Sequence, residues 1–166
     1  LILSGINTYS GNTTICAGTL EFSGLLGSGT YSGNISNSGT FEYSSSSDQT
    51  LSGVISGSGS LVKDGSGELI ISGVNSFSGS TTISAGSIRI SADSGLGSAP
   101  SSATIGHLVL SNGGILKTTA TFTLNSNRGI TLASGTGYFK PSSSTELTYA
   151  GIIAGSGNLK SSHGTL

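Results

Sequence analysis

The chain has 166 residues, of which 28 are Gly, and only 8% of its residues are charged, with a net charge of −1. The 6 Lys and Arg residues stand singly, without the cluster that displaces counterions from nucleic acid. No stretch approaches the roughly 20 apolar residues of a membrane helix. Composition therefore argues against a nucleic-acid partner and against a helical membrane protein.

Short β-strands are the only regular structure that the sequence predicts. Helix-period patterns are missing, and Gly or Asn-Ser turns separate short runs of alternating apolar residues. In chain order the predicted strands are 1–3, 13–16, 19–22, 39–43, 51–55, 60–62, 68–71, 81–84, 87–90, 103–105, 107–110, 115–118, 121–124, 129–132, 137–139, 146–149 and 158–160.

The chain also repeats itself. The segment Leu1–Phe22, LILSGINTYSGNTTICAGTLEF, returns at Leu69–Ile90 as LIISGVNSFSGSTTISAGSIRI, with 12 of 22 positions identical. A unit of this kind buries its apolar face only against its neighbours in a stack. The repeat therefore indicates a scaffold.

Two all-β architectures could use this pattern, a sandwich or a parallel β-helix. Strands this short, joined by Ala-Gly-Ser and Gly-Ser-Gly corners rather than hairpin turns, favour the β-helix. At roughly 20 residues per rung the chain would form roughly 7 to 9 rungs. Ile, Leu, Val, Ala and some Phe are expected inside, with Ser, Thr and Asn outside. Residues 1–166 are predicted to be one β-helical segment, a fragment of a longer protein.

The conspicuous repeat residues are predicted to have structural roles. Asn7 and Asn75 occupy equivalent places, where an amide can cap the backbone groups of a corner. The full set is Gly5, Asn7, Tyr9, Gly11, Gly18, Gly57, Gly59, Lys63, Gly65, Gly67, Gly73, Asn75, Phe77, Gly79, Gly86, Gly155 and Gly157.

No catalytic, metal-binding or cofactor-binding residue is predicted. Asp64 and Glu68 are the closest carboxylates, but they flank a turn that the repeat explains. Asp93-Ser94-Gly95 is similar to a serine-protease nucleophile segment, but Ala92 replaces the Gly that should precede it. His107 is expected on the outer face of a strand. The single Cys16 is either a small residue, as Ser84 is in the other copy, or an exposed thiol that pairs between chains.

The segment Gly53–Ile88, GVISGSGSLVKDGSGELIISGVNSFSGSTTISAGSI, resembles the passenger-associated transport repeat, also called the autotransporter-associated β-strand repeat. Leu1–Phe22 is similar to part of it, and Phe122–Leu166 is similar to the region that commonly precedes it. In that last region His163 stands where the earlier copy has Gly65, and Lys160 falls one place early.

The resemblance implies a right-handed parallel β-helix in the passenger of a type V secreted protein, outside the cell or on the surface of a Gram-negative-type bacterium. Its translocator barrel would lie outside this chain. We expect a non-enzymatic, surface-displayed stalk or adhesin segment whose Ser/Thr/Asn-rich face contacts glycans or proteins of host or bacterial surfaces. The alternatives are a filament subunit that stacks head to tail and, third, a fragment of a β-helical polysaccharide hydrolase.

Overall fold

The computed structural model describes residues 1–162 and consists mainly of short β-strands. These are β1 (Ile2–Leu3), β2 (Ile6–Asn7), β3 (Thr13–Ile15), β4 (Thr19–Phe22), β5 (Leu25–Leu26), β6 (Thr30–Tyr31), β7 (Ile35–Asn37), β8 (Thr40–Tyr43), β9 (Gln49–Leu51), β10 (Ile55–Ser56), β11 (Ser60–Lys63), β12 (Glu68–Ile71), β13 (Thr81–Ile83), β14 (Ser87–Ile90), β15 (Thr104–Leu110), β16 (Ile115–Thr118), β17 (Phe122–Leu124), β18 (Arg128–Leu132), β19 (Thr136–Pro141), β20 (Leu147–Tyr149), β21 (Ile153–Gly155) and β22 (Asn158–Ser161). Two short 3-10 turns, Gly27–Gly29 and Asp93–Leu96, interrupt them.

The strands form three faces, each a stack of parallel strands. Face 1 contains β1, β4, β8, β11, β13, β15, β18 and β21, and face 2 contains β6, β9, β12, β14, β16, β19 and β22, each in spatial order. Face 3 consists of β3, β7 and β10 and, further along the rod, of β17 and β20. A separate pair, β2 with β5, lies in the first two turns.

Residues 1–162 coil through seven complete turns. Neighbouring strands of face 1 belong to successive turns, and their paired residues are 19 to 27 positions apart. Eight strands in this sheet therefore delimit seven turns. The predicted parallel β-helix is confirmed, at the lower end of the expected number of rungs.

Inward side chains at equivalent positions form columns along the interior. On face 1, Phe41 pairs with Leu61, Leu61 with Thr81, Thr81 with Leu108 and Leu108 with Ile130, and all five residues are buried. Each rung thus covers the apolar side chains of the rung before it. This burial is the main favourable contribution to stability, and it acts between neighbours only.

The interior differs from the prediction in composition. Its apolar side chains are Ile, Leu, Phe and Tyr, whereas Val54 and Val74 are exposed. Val62 and Val109 occupy outward positions between inward neighbours, and Val54 and Val74 each follow a corner glycine, so the inward columns contain no Val. Polar side chains are buried as well, among them those of Lys63 and Arg128.

Glycine columns line the corners of the coil. Gly11, Gly33, Gly53 and Gly73 follow one another at the corner that leads into face 3. A Cβ on any of the last three would lie closer than 3.0 Å to the carbonyl oxygen of the Gly one rung below. Gly18, Gly39, Gly59 and Gly79 form the same kind of column at the corner that leads into face 1. Along these two columns the first four rungs therefore approach each other backbone to backbone, where only Gly fits.

The two copies of the sequence repeat lie on different faces. Thr13–Ile15 forms β3 on face 3, but its equivalent Thr81–Ile83 forms β13 on face 1. Likewise Thr19–Phe22 lies on face 1 and its equivalent Ser87–Ile90 on face 2. The second copy is thus advanced by one face around the rod.

Several predicted strand bounds are wrong. The run 51–55 is not one strand, because the chain turns a corner at Gly53 and divides it between β9 and β10. The runs 103–105 and 107–110 are a single strand, β15, with a shift of register between Thr104 and Leu108. Five strands are missing from the prediction, namely β2, β5, β6, β7 and β21, because two or three residues are too few to show an alternation.

We predict that Leu61→Ala lowers the free energy of unfolding by about 2–5 kcal/mol, because it leaves a cavity in a packed column. Val74→Ala, at a side chain that is 73% exposed, should change it by less than about 0.5 kcal/mol. Urea unfolding followed by circular dichroism measures both. Equal effects of the two substitutions would contradict the columnar core.

Candidate functional surface

Most of the predicted structural residues lie at corners or in the interior, whereas Tyr9 is 39% exposed and Gly155 ends strand β21. Asn75 Oδ1 accepts a hydrogen bond from the backbone N–H of Ile55 at 2.8 Å, and its Nδ2 donates to the carbonyl of Gly95 at 3.0 Å. Asn7 Nδ2 donates to the carbonyls of Gly5 (2.9 Å) and Leu25 (3.0 Å). Each amide therefore bridges backbone groups of neighbouring rungs.

The equivalent aromatic residues differ in environment. Phe77 is fully buried, whereas Tyr9 is 39% exposed and packs edge-on against Tyr31, with ring centroids 5.6 Å apart. The hydroxyl groups of Tyr9 and Thr13 are hydrogen-bonded at 2.8 Å. Tyr9 belongs to the first turn, where no described rung lies beneath it.

Lys63 occupies an inward column, paired with Tyr43 on one side and Ile83 on the other. Its Nζ donates to the carbonyl of Gly65 and, at 3.5 Å, to that of Ala85, and it lies 5.6 Å from the ring centre of Tyr43. Burial lowers the pKa of this amine to about 8. Lys63 thus caps carbonyl groups of a corner from inside the rod.

The residues considered for catalysis have other partners. Asp64 accepts a hydrogen bond from Ser84 Oγ at 2.9 Å, whereas Glu68 lies on face 2 and forms ion pairs with Arg89 and Lys117. The carboxylate of Asp93, beside Ser94, is bound by Arg128. Neither Asp64 with Glu68 nor Asp93 with Ser94 forms an acid–base pair in the structure.

The expected outward position of His107 is wrong. Its imidazole is buried, and within residues 1–162 Nε2 has no hydrogen-bond partner. The register shift in β15 accounts for the error, because it reverses the inside–outside alternation before Leu108. Burial, and next the positive charge of Arg128, lower the pKa of His107 below its usual value, so the ring is neutral near pH 7.

An ion pair between the buried Arg128 and the partly exposed Asp93 lies in the longest turn. Arg128 is fully buried, and its Nε and Nη2 donate to the two carboxylate oxygens of Asp93 at 2.8 and 3.0 Å. Nη1 also donates to the carbonyl of Leu96 at 2.9 Å. The guanidinium therefore ties the Asp93–Leu96 turn to the following rungs. No motif in the sequence indicates this pairing, since the two residues are 35 positions apart.

Four cations that stand singly in the sequence meet on face 2. Arg89 pairs in register with Lys117, and Lys117 with Lys140. Lys160 lies on the next strand, paired with Tyr138. The varying length of the turns hides this arrangement, because the intervals between the cations do not repeat.

Face 1 carries negative charge instead. Glu21 and Glu42 are in register on adjacent outward positions. Partial burial, followed by the charges of Glu21 and Asp64, raises the pKa of Glu42. Outward acids therefore accumulate on face 1, whereas the outward cations, together with Glu68, lie on face 2.

Face 3 presents hydroxyl groups. Thr14 pairs with Ser36 and Ser36 with Ser56, all pointing outward, and further along the rod Thr123 pairs with Thr148. Thr14, Ser36, Thr123 and Thr148 are exposed. Cys16, which follows β3, is exposed as well.

Across residues 1–162 there is no group of three His, Cys, Asp or Glu residues that could hold a metal ion. Over the same residues no helix is long and apolar enough to cross a membrane. His163, the residue that stands in place of a Gly in the last repeat, lies outside the described residues.

We predict that the chain loses stability as the pH falls from about 7 toward 5.5, because unfolded His107 binds a proton near pH 6.5 while the buried imidazole resists it. In that window the unfolded state binds more protons, so acidification favours it. His107→Gln should flatten the dependence of the urea midpoint on pH. Thr118→Val, at another buried and unpaired polar side chain, is the control and should leave the slope unchanged. An unchanged slope in the His107 variant would refute this account.

Comparison with known proteins identifies the repeat. No curated protein and no solved structure matches the chain. A family model, the passenger-associated-transport-repeat, matches residues 1–22 and 61–90. The first match covers the whole first copy, and the second runs from β11 through β14 to the end of the second copy. The third similar region, Phe122–Leu166, is not among the matched residues. The chain therefore carries passenger-associated transport repeats on a parallel β-solenoid, which fits the stalk of an autotransporter passenger.

Proposed function

We propose that this chain is a non-enzymatic, surface-displayed β-helical stalk that also acts as an adhesin, with face 3 as the adhesive surface. The observation that carries the proposal is the combination of passenger repeats with a solenoid of seven turns. A rod that grows by successive rungs places distance between its ends without requiring a large core.

The hydroxyl groups of face 3 support adhesion by area. Each Ser or Thr can donate and accept a hydrogen bond, and within each of the two sheets of face 3 neighbouring strands present these groups about 4.8 Å apart. Single contacts of this kind are weak, but contacts repeated along one rod add through effective concentration. Glycans, which are rich in hydroxyl groups, and protein surfaces are the partners that such a face suits.

The passenger repeat supports a route to the cell surface through a translocator barrel. The translocator barrel would be outside this chain, and the passenger would fold after export. Each new rung can form on the preceding one as the chain emerges. Folding then proceeds in one direction along the rod and needs no ATP.

We predict that the chain, fused to a heterologous translocator barrel in a Gram-negative host, becomes accessible to surface antibodies and increases adhesion to glycan-coated beads or cultured cells. The double variant Thr123→Val/Thr148→Val should reduce adhesion several-fold, because it removes hydroxyl groups from face 3. The matched control, Thr82→Val/Thr131→Val, makes the same change on face 1 and should retain adhesion.

Failure to reach the surface, or equal adhesion by both double variants, would contradict the proposal. So would turnover of polysaccharides or peptides by the purified chain that is lost on substitution of Asp64, Glu68 or Ser94, because that result would favour the hydrolase.

The exposed ends favour a second candidate, a head-to-tail filament. Leu1, Ile2 and Ile6 are exposed at one end, and Ile153 and Leu159 at the other. Within the described residues β1 pairs on one side only, with β4, and β21 with β18. Open strand edges with apolar neighbours favour pairing between copies. Light scattering at high concentration distinguishes the candidates, since a monodisperse monomer would rule out the filament.

A further inference from the structure

We propose that the outer surface of face 2, along β14, β16, β19 and β22, binds an extended acidic polysaccharide. This inference extends the proposed adhesive function and depends on it only for exposure outside the cell. This surface, the cation ladder, consists of Arg89, Lys117, Lys140 and Lys160.

The cation ladder has one basic side chain on each of four consecutive strands. Arg89, Lys117 and Lys140 are in register, so their Cα atoms follow a line with steps of about 4.8 Å. The side chains of Arg89 and Lys117 are 39% and 37% exposed. Three cations in a line, with Lys160 two positions off that line on the next strand, match a linear polymer that carries its negative charges at intervals along its length.

The ladder keeps an excess of positive charge. Glu68 neutralises part of it, with Oε1 lying 2.8 Å from Arg89 Nε and Oε2 bound to Lys117 Nζ. Within residues 1–162 Lys140 and Lys160 form no ion pair. Among the described residues Glu68 is the one carboxylate that is ion-paired with these four cations, whereas Glu21, Glu42 and Asp64 lie close together on face 1. A chain with almost no net charge can thus attract an anion to one side.

A groove runs beside the ladder. Its volume is about 350 Å³, and it is lined by Glu68, Arg89, Lys117, Thr119, Lys140, Pro141 and Ser142. The hydroxyl groups of Thr119 and Ser142 can bond to sugar hydroxyls while the ammonium groups bind carboxylates. Cations and hydroxyls together suit an acidic sugar better than a simple inorganic anion.

The aromatic content argues for a polysaccharide over a single-stranded nucleic acid. Nucleic-acid grooves add free aromatic faces on which bases stack. Tyr138 is the aromatic residue that lies beside the cation ladder. The amines of Lys140 and Lys160 lie 5.9 and 6.0 Å from the centre of the Tyr138 ring. Those amines occupy the positions that a stacked base would need.

The test measures binding of the purified chain to immobilised polygalacturonate, with neutral dextran and oligo-deoxythymidine as comparison probes. We expect polygalacturonate to bind most tightly and the binding to weaken as salt is raised from about 50 to 500 mM, because screening weakens exposed charge pairs. Lys140→Gln/Lys160→Gln should weaken binding by about tenfold or more, since it removes two exposed charge contacts. Lys140→Arg/Lys160→Arg should retain it. Glu68→Gln should strengthen it several-fold, because it releases Arg89 and Lys117.

Equal binding of dextran, tighter binding of oligo-deoxythymidine, or no loss in the Gln double variant would overturn the inference. Adhesion through face 3 is measured in a separate assay, with the Thr123→Val/Thr148→Val variant. If that variant abolishes adhesion while polygalacturonate binding is lost only in the Gln variant, both ideas stand. If polygalacturonate fails to bind while face 3 still mediates adhesion, only the cation ladder is rejected.

Discussion

The structure depends on close approach of the backbone between successive rungs at the corners. Gly53 lies over the carbonyl of Gly33, and Gly73 over that of Gly53, with no room for a Cβ between them. This spacing lets the short strands pair and brings the inward side chains of each rung into contact with those of the next. A chain with 8% charged residues and abundant Gly and Ser, which would suit a flexible linker, becomes an ordered rod because its glycines are spaced by the rung.

The same constraint explains how one sequence repeat can occupy two positions. Two corners of the first four rungs require residues without a Cβ, so a motif with correctly spaced glycines fits at both of them. Gly11 lies at the corner into face 3, and its equivalent Gly79 at the corner into face 1. Two copies of one sequence motif can therefore present their side chains on different outer faces of the rod. Because the interior and corners alone are constrained, the outer faces are free to differ, with acids on face 1, cations on face 2 and hydroxyls on face 3.

The architecture could be predicted from the sequence because the features that determine it are local. Strands such as Glu68–Ile71 and Ser87–Ile90 show a four-residue alternation between Gly turns, and their predicted bounds are correct. The sequence did not show which side chains meet on neighbouring strands, because those contacts depend on the exact length of each turn. Lys117 and Lys140 meet only when the chain between them closes one full turn, and Arg128 reaches Asp93 by the same means. The prediction for His107 is wrong for a related reason, since a local register shift changes which side of the strand faces inward.

The most direct test of the account compares two glycines of one column in this chain. The φ of Gly53 lies outside the left-handed region, and a Cβ added there would meet the carbonyl oxygen of Gly33. A Cβ added at Gly11 would meet nothing within 4 Å. The free energy of unfolding of Gly53→Ala and Gly11→Ala can be measured by urea titration. We expect Gly53→Ala to destabilise the chain by about 1–3 kcal/mol or more, and Gly11→Ala to be neutral or slightly stabilising. Equal effects of the two substitutions would contradict the stacking of rungs through glycine corners.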